Sequence, residues 1–376
     1  MKSYLVGGAV RDRLLGLPVH ERDWVVVGAT EQVLLEAGYK KADVDFPVFL
    51  HPETGDEYAL ARIERKTGPG YKGFVVEAGP EISLQQDLAR RDLTVNALAE
   101  DEDGHLIDHF HGRDDLEHRV LRHITPAFEE DPVRILRVAR FAARFGALGF
   151  SIAPETLCLM ARMATSEELK SLKPERVWQE MRKALGEKQP GLFFETLYEC
   201  GALAVLIPSL HRVLKDGSAS ASSDPLVALA HASSTSSDPR VRFAAVMYAA
   251  AKGETVADLC GRLRVERDYS ELLERVVQHG PAFSELGGAA AGGVLDLLEQ
   301  TGAFQQADRF RLFLDACLAL WPEAAPGNGQ RLQQALAAAR GIDAKLLLEA
   351  GFSGVALGAE LKRRRIEAIR QHEAKG

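Results

Sequence analysis

The chain reads as an α+β protein, a mixed α/β N-terminal part followed by an all-helical remainder. Two observations carry this. Up to about residue 125, short β-rich runs alternate with short helical stretches; the runs are Val25-Val26-Val27, Val48-Phe49-Leu50, Tyr58-Ala59-Leu60 and Leu106-Ile107. From Pro126 onward, apolar residues recur at helical spacing almost throughout. At 376 residues the chain has room for two or three domains with ample core.

The first element is LVGGAVRDRLLG. Leu5-Val6 ends a short buried strand and Gly7-Gly8 makes a tight turn. Ala9 to Leu15 has helical spacing, with Val10, Leu14 and Leu15 on one side, and Gly16 and Pro18 stop it. Strand, glycine turn and helix start together make an anion site. Gly8 lets the backbone approach a phosphate, the free N–H groups of the first turn point at it, and Arg11 adds a charged fork. Trp24 to Val27 is the second strand. Glu21 and Asp23, two apart, are expected on one strand face. Beside a phosphate-binding turn, two such carboxylates suit a hard metal such as Mg²⁺ and a nucleotide triphosphate. Read singly, they are two solvated acids at a strand start.

GGAVRDRLLG followed by ERD resembles the N-terminal motif of class II nucleotidyltransferases, and more narrowly that of the bacterial CCA-adding tRNA nucleotidyltransferases. Glu21 stands where that family usually has Asp; it keeps the charge on a side chain one methylene longer. The resemblance implies a polymerase-β-like catalytic head over residues 1–125. A helical neck with nucleotide-base recognition is expected over 126–208, and a tRNA-binding helical body and tail over 209–376. The implied reaction adds C, C and A to the tRNA 3′ end from CTP and ATP without a nucleic-acid template, releasing pyrophosphate. Mg²⁺ is expected on Glu21 and Asp23.

Further along, Glu57 opens the strand EYALAR. The family places a third carboxylate in such a strand, so Glu57 is either the third catalytic acid or an edge-strand charge. Arg62 to Phe74, broken by glycines and a proline, reads as a mobile loop. In the resembling enzymes a loop here serves the change from C to A addition. Arg90-Arg91-Asp92 matches an R-R-D motif that implies nucleotide contact by Arg91, with Asp92 orienting an arginine.

From Pro126 the stretch PAFEEDPVRILRVARFAARFGALGF reads as one helix. Arg134, Arg137, Arg140 and Arg144 form a single positive stripe among apolar residues. Such a helix is expected to be packed on most sides, with its stripe facing a cleft, so that Arg137 and Arg140 fix base and phosphates. Glu130 to Arg134 also matches the family's E-D-x-x-R. Asp131 and Arg134 are expected as neighbours on that helix. Together they offer one acceptor and one donor, which suits the amine and ring nitrogen of C and A and rejects U and G.

Leu172–Leu185 and Gly191–Leu206 read as further helices. The tracts SASASS, SSTSS and GGAAAGG, and the stretch PGNGQ, read as loops or breaks. Some family members carry a metal-dependent phosphohydrolase domain in this region. Here Tyr248-Ala249 stands where its His-Asp pair would be, so that domain is expected to be degenerate or absent. His231 reads as structural. Arg363 to Arg365 belong to a basic terminal helix, touching tRNA or simply solvated.

Composition narrows the class. The formal net charge of −8 argues against indiscriminate coating of nucleic acid, though not against an RNA enzyme with locally clustered arginines. Four scattered cysteines without metal spacing suggest reduced thiols. The short apolar start does not suit a signal peptide and no segment suits a membrane span, so a cytoplasmic protein is expected. Within the class, a poly(A) polymerase is a rival, although DFPVFLHP lacks the basic run such enzymes carry there. An A-adding-only enzyme is a second rival. A catalytically weak tRNA-binding module is the rival from another class.

Overall fold

The computed structural model describes residues 1–42, 46–66, 68, 74–217, 222 and 224–374. They fall into two compact units, Met1–Leu206 and Ile207–Gly376. The first begins with β1 (Lys2–Val6), α1 (Gly8–Leu14), β2 (Asp23–Val27), α2 (Glu31–Glu36), β3 (Lys40–Lys41), β4 (Val48–Leu50) and β5 (Glu57–Leu60). It continues with β6 (Arg62–Lys66), β7 (Phe74–Ala78), α3 (Leu84–Ala89), β8 (Leu98–Glu100), β9 (Leu106–Asp108) and α4 (Gly112–Glu117). Seven strands form one sheet in the order β3-β4-β5-β2-β1-β8-β9. The central pair β2 and β5 is parallel, and the other neighbours are antiparallel.

The alternation of β2 explains the layering. Val25 is buried on one face with Val6, Leu84 and Leu88, under α3; Val26 is buried on the other with Leu34, Phe49 and Leu60, under α2. Thr30 caps α2, and Ser83 with Gln86 makes a capping box on α3. Helix α1 differs from its expected face. Ala9, Val10, Arg11 and Asp12 are buried, whereas Leu14 is exposed. Gly7 has φ +70°, which favours glycine, and its N–H donates to the Leu98 carbonyl.

Arg62 to Phe74 is not simply a loop. Arg62–Lys66 pairs antiparallel with Phe74–Ala78, with Ile63 opposite Glu77, Glu64 opposite Val76 and Arg65 opposite Val75. Residues 67 and 69–73, including Tyr71, lie outside the described residues.

The helical part of this unit follows β10 (Val120–Leu121). It comprises α5 (Val133–Phe145), β11 (Ser151–Ile152), α6 (Pro154–Ala164), α7 (Glu167–Lys170), α8 (Pro174–Leu185), α9 (Gly191–Glu199) and α10 (Ala202–Leu206). Two expected helices are broken. Pro126–Glu130 is a 3₁₀ turn, and Asp131 is extended at φ −125°, ψ 108° before α5 starts. Pro132 imposes this, since a residue before proline is disfavoured in helical conformation. Gly201, at φ +80°, separates α9 from α10.

The second unit is helical: α11 (Pro208–Asp216), α12 (Pro225–Thr235), α13 (Pro239–Met247), α14 (Val256–Leu263), α15 (Arg267–Ser284), α16 (Ala291–Gln300), α17 (Ala307–Leu320), α18 (Ala325–Arg340), α19 (Ala344–Glu349) and α20 (Gly354–Glu373). Three expected breaks are partly helix. The Ser and Thr hydroxyls of SSTSS bond back to α12 carbonyls. Gly292 and Gly293 lie inside α16. Pro326 takes a first-turn position of α18, where its missing N–H costs nothing, and Asn328 beyond it donates to the Phe283 carbonyl at 2.8 Å. Most of SASASS lies outside the described residues.

Candidate active site

Asp23 opens β2 directly opposite Glu57, which opens the parallel β5. On its other side Asp23 faces Val6, the last residue before the Gly7-Gly8 turn. Strand pairing therefore sets two carboxylates side by side at the foot of the turn. Glu21 lies two residues ahead of β2, so no shared strand face places it, contrary to expectation. It still lines the same cavity, and its charge acts on Asp23. The Asp23 carboxyl is held above the usual range, chiefly by desolvation, with Arg91 opposing and Glu21 adding.

The cavity has a volume of about 1000 Å³. Its wall includes Gly8, Glu21, Asp23, Glu57 and Arg91 from the sheet side, and Asp131, Arg134, Arg137, Arg140 and Arg144 from the helical side. The α5 stripe thus faces a cleft, as its spacing predicts, while Ile135, Leu136, Val138 and Ala139 are fully buried behind it.

Each arginine is tied down. Arg137 Nε donates to Asp92 at 2.6 Å, Arg140 Nε to Glu180 at 2.6 Å, and Arg144 Nη2 to Asp12 at 2.8 Å. Arg134 donates to the carbonyls of Ala127, at 3.0 Å, and Arg90, at 2.7 Å. Arg11 is only 3 % exposed and is not a free fork. It bonds Asp12 and Asn96 and lies over the ring of Phe145, 4.9 Å from its centre. Burial would push the Asp92 carboxyl up, but Arg137 and the Asn96 hydrogen bond hold it well below the carboxylate range.

Asp131 is not a helical neighbour of Arg134. Its Oδ1 accepts from the N–H of Val133, the first residue of α5, at 3.0 Å. Its carboxylate takes both terminal nitrogens of Arg176, at 2.9 and 3.3 Å. Arg91 approaches Asp87 at 3.6 Å and the Asn96 carbonyl at 3.4 Å, and its buried Nε has no hydrogen-bond partner. A Cβ on Gly7 would come within 2.6 Å of Arg91 Nη1, so glycine is what admits this guanidinium beside the turn.

The family model described as Poly A polymerase head domain matches residues 3–122. That described as Probable RNA and SrmB- binding site of polymerase A matches 149–214. A Multifunctional CCA protein of Thioalkalivibrio sulfidiphilus (strain HL-EbGR7) is 49 % identical over 406 aligned positions, covering 100 % of this chain and 99 % of that protein. The chain belongs to the CCA-adding enzyme family. A CCA-adding enzyme of Pseudomonas putida (strain W619) is 44 % identical, with 100 % and 99 % covered. A Thermotoga maritima CCA-adding enzyme complexed with tRNA_CCA shares the fold at TM-score 0.72 and 22 % identity, with 100 % and 91 % covered. As a member of the family the chain is a nucleotidyltransferase with the α+β architecture expected.

Sequence reasoning missed several polar residues of the cavity wall, among them Asp12, Asn96, Arg176 and Glu180. Arg176 and Glu180 had a usable signal, since Arg176, Gln179, Glu180 and Lys183 recur at helical spacing and all line the cavity from α8. Asp101, Asp103 and His105 also gather, but on an exposed turn where Asp101 accepts from the backbone of Asp103 and His105. In the second unit Tyr248 is buried edge-on against Trp321, and His231 Nδ1 lies 3.3 Å from the Ala319 carbonyl. Arg363 and Arg364 pair with Glu360, while Arg365 lies over Phe304. Among the described residues no helix is long and apolar enough to cross a membrane.

Proposed function

We propose that this cavity performs CCA addition, transferring C, C and A from CTP and ATP to the tRNA 3′ end and releasing pyrophosphate. The carrying observation is the pairing of Asp23 with Glu57 at the Gly7-Gly8 turn, in one cavity with the α5 arginines. Residues 1–125 serve as the catalytic head and 126–208 as the base-recognising neck. Residues 209–376 serve as a tRNA-binding body and tail, and the protein works in the cytoplasm.

Glu21 and Asp23, with Glu57 as the third acid, offer only hard oxygen donors. An Asp23 carboxyl pushed up by burial and by Glu21 is one that a cation would relieve, so the set fits Mg²⁺. Mg²⁺ bound there supplies a lowered pKa for the attacking 3′-hydroxyl and neutralises the departing pyrophosphate. Gly8 gives backbone access to the phosphates, and the Arg91 guanidinium, which lines the cavity beside the Gly7-Gly8 turn, meets them. Arg11, braced by Asp12 and Asn96, presents a fixed positive charge beside them. Arg137 and Arg140, fixed by Asp92 and Glu180, orient the nucleotide. Asp131 and Arg134 choose the base: the carboxylate accepts from the amine of C or A, and the guanidinium donates to the ring nitrogen.

The test is Asp23→Ala. Incorporation of both nucleotides should be abolished while tRNA binding stays within about twofold. Substantial Mg²⁺-dependent incorporation by that variant would refute the assignment. Glu21→Asp should retain or raise activity, since it restores the residue usual in the family.

A further inference from the structure

We propose that Asn96 is a positioning residue for nucleotide binding, the neutral link in a closed ring of side chains that locks the head to helix α5. The inference rests on the reading of the cavity given above.

The ring can be followed atom by atom. Asn96 Nδ2 donates to Asp92 Oδ1 at 2.8 Å, and Asp92 Oδ2 accepts from Arg137 Nε at 2.6 Å. On the other side Asn96 Oδ1 accepts from Arg11 Nη1. Arg11 Nε then donates to Asp12 Oδ1 at 2.9 Å, and Asp12 Oδ2 accepts from Arg144 Nη2 at 2.8 Å. Arg137 and Arg144 both belong to α5, so the helix closes the ring. All six side chains line the cavity. The Asn96 backbone carbonyl, outside the ring, accepts from Arg91 Nη1 at 3.4 Å.

Asn96 is 6 % exposed and sits between a carboxylate and a guanidinium. The position needs a donor on one side and an acceptor on the other, and a primary amide offers both without adding charge. A carboxylate here would face Asp92 with like charge. An apolar side chain would take one of the two donors from Asp92 Oδ1, leaving it the Leu93 N–H at 2.9 Å, and would leave Arg11 Nη1 without its Asn96 acceptor, so that Asp12 alone holds that guanidinium. The amide therefore sets where Arg11 and Arg137 stand. Neither Asp131 nor Arg134 belongs to the ring, so its effect is common to CTP and ATP.

The experiment compares the full-length protein with Asn96→Ala, Asn96→Ser and Asn96→Asp, on a tRNA lacking its 3′ CCA. Asn96→Ser keeps one hydroxyl between the two charges, and Asn96→Asp keeps the acceptor for Arg11. The readouts are KM for CTP, ATP and tRNA, kcat, and the thermal midpoint. Asn96→Ala should raise KM for CTP and for ATP by one common factor of about ten- to a hundredfold, the size of lost hydrogen bonds to charged groups. KM for tRNA and the preference for C and A over U and G should stay unchanged, and Asn96→Ser should recover part of the loss. A folded variant with unchanged nucleotide KM overturns the proposal, as does a loss confined to kcat or to tRNA. If Asn96→Ala does not fold, Asn96→Ser and Asn96→Asp decide by the same criteria. If no variant folds, the residue is a core support only and the proposal is wrong. Asp23→Ala run alongside separates the two readings. An active Asp23→Ala defeats the site itself; an inactive one beside Asn96 variants of normal KM defeats only the Asn96 inference.

Discussion

Asp131 carries the base choice in this reading, and both terminal nitrogens of Arg176 hold its carboxylate. Removing the carboxylate leaves the amine of C or A without an acceptor. A base contact is worth about 1–3 kcal/mol of discrimination. Single-nucleotide incorporation by Asp131→Ala should therefore lose about ten- to a hundredfold of its selectivity against UTP and GTP. Arg176→Ala should shift selectivity the same way, by less, since it frees the carboxylate without deleting it. Equal losses for all four triphosphates would move base choice elsewhere. Asp92 supports a separate expectation about acid. Its folded-state carboxyl lies below the ordinary Asp value because Arg137, Asn96 and Arg134 outweigh burial. Its stabilisation is thus fully present above the unfolded value, near 3.9, and is lost as pH falls below it toward the folded value. Asp92→Asn should be destabilised at pH 7 by about 1–3 kcal/mol. The gap in urea midpoints between the two proteins should narrow between pH 5 and pH 3; a gap that stays constant with pH would contradict the assignment.

At the scale of elements, the Gly7-Gly8 turn is the most constrained piece. Gly7 takes φ +70°, and a Cβ there would press within 2.6 Å of Arg91 Nη1. Gly7→Ala should cost about 1–3 kcal/mol of backbone strain and raise KM for CTP and ATP together; an unchanged thermal midpoint with normal KM would show that the turn tolerates a side chain. This turn, β2, β5 and the stripe of α5 are legible in the sequence because each is a local pattern: a glycine pair, short β-rich runs, arginines at helical spacing. Position within an element is less legible. Asp131 reads as helical from its neighbours, yet Pro132 makes it extended, since a residue before proline is disfavoured in helical conformation. Arg11 reads as a free phosphate fork from its place on α1, but its surroundings come from distant Asn96 and Phe145. No local pattern announces a buried partner eighty-five residues away in the chain. The stretches SSTSS and PGNGQ of the second unit mislead for the opposite reason. Composition suggests loops, but back-bonding hydroxyls and an N-terminal Pro326 let them continue as helix.

For the whole molecule, catalysis is assigned to a cavity built wholly within the unit Met1–Leu206. In the second unit, Tyr248 is part of a hydrophobic core, and no cluster of three His, Cys, Asp or Glu ligands occurs there among the described residues. The purified protein is therefore expected not to hydrolyse 2′,3′-cyclic phosphates with any divalent metal. Hydrolysis that disappears on truncation after residue 208 would contradict this. The central claim is that one cavity adds C, C and then A. Its most direct test is single-nucleotide resolution of the products formed on a tRNA lacking its last three residues, with CTP alone, ATP alone, and both. Two additions are expected with CTP alone and none with ATP alone. With both, growth should stop at three additions ending in A. Growth of an A tract from ATP alone, or A addition only to a tRNA already ending in CC, would contradict the claim.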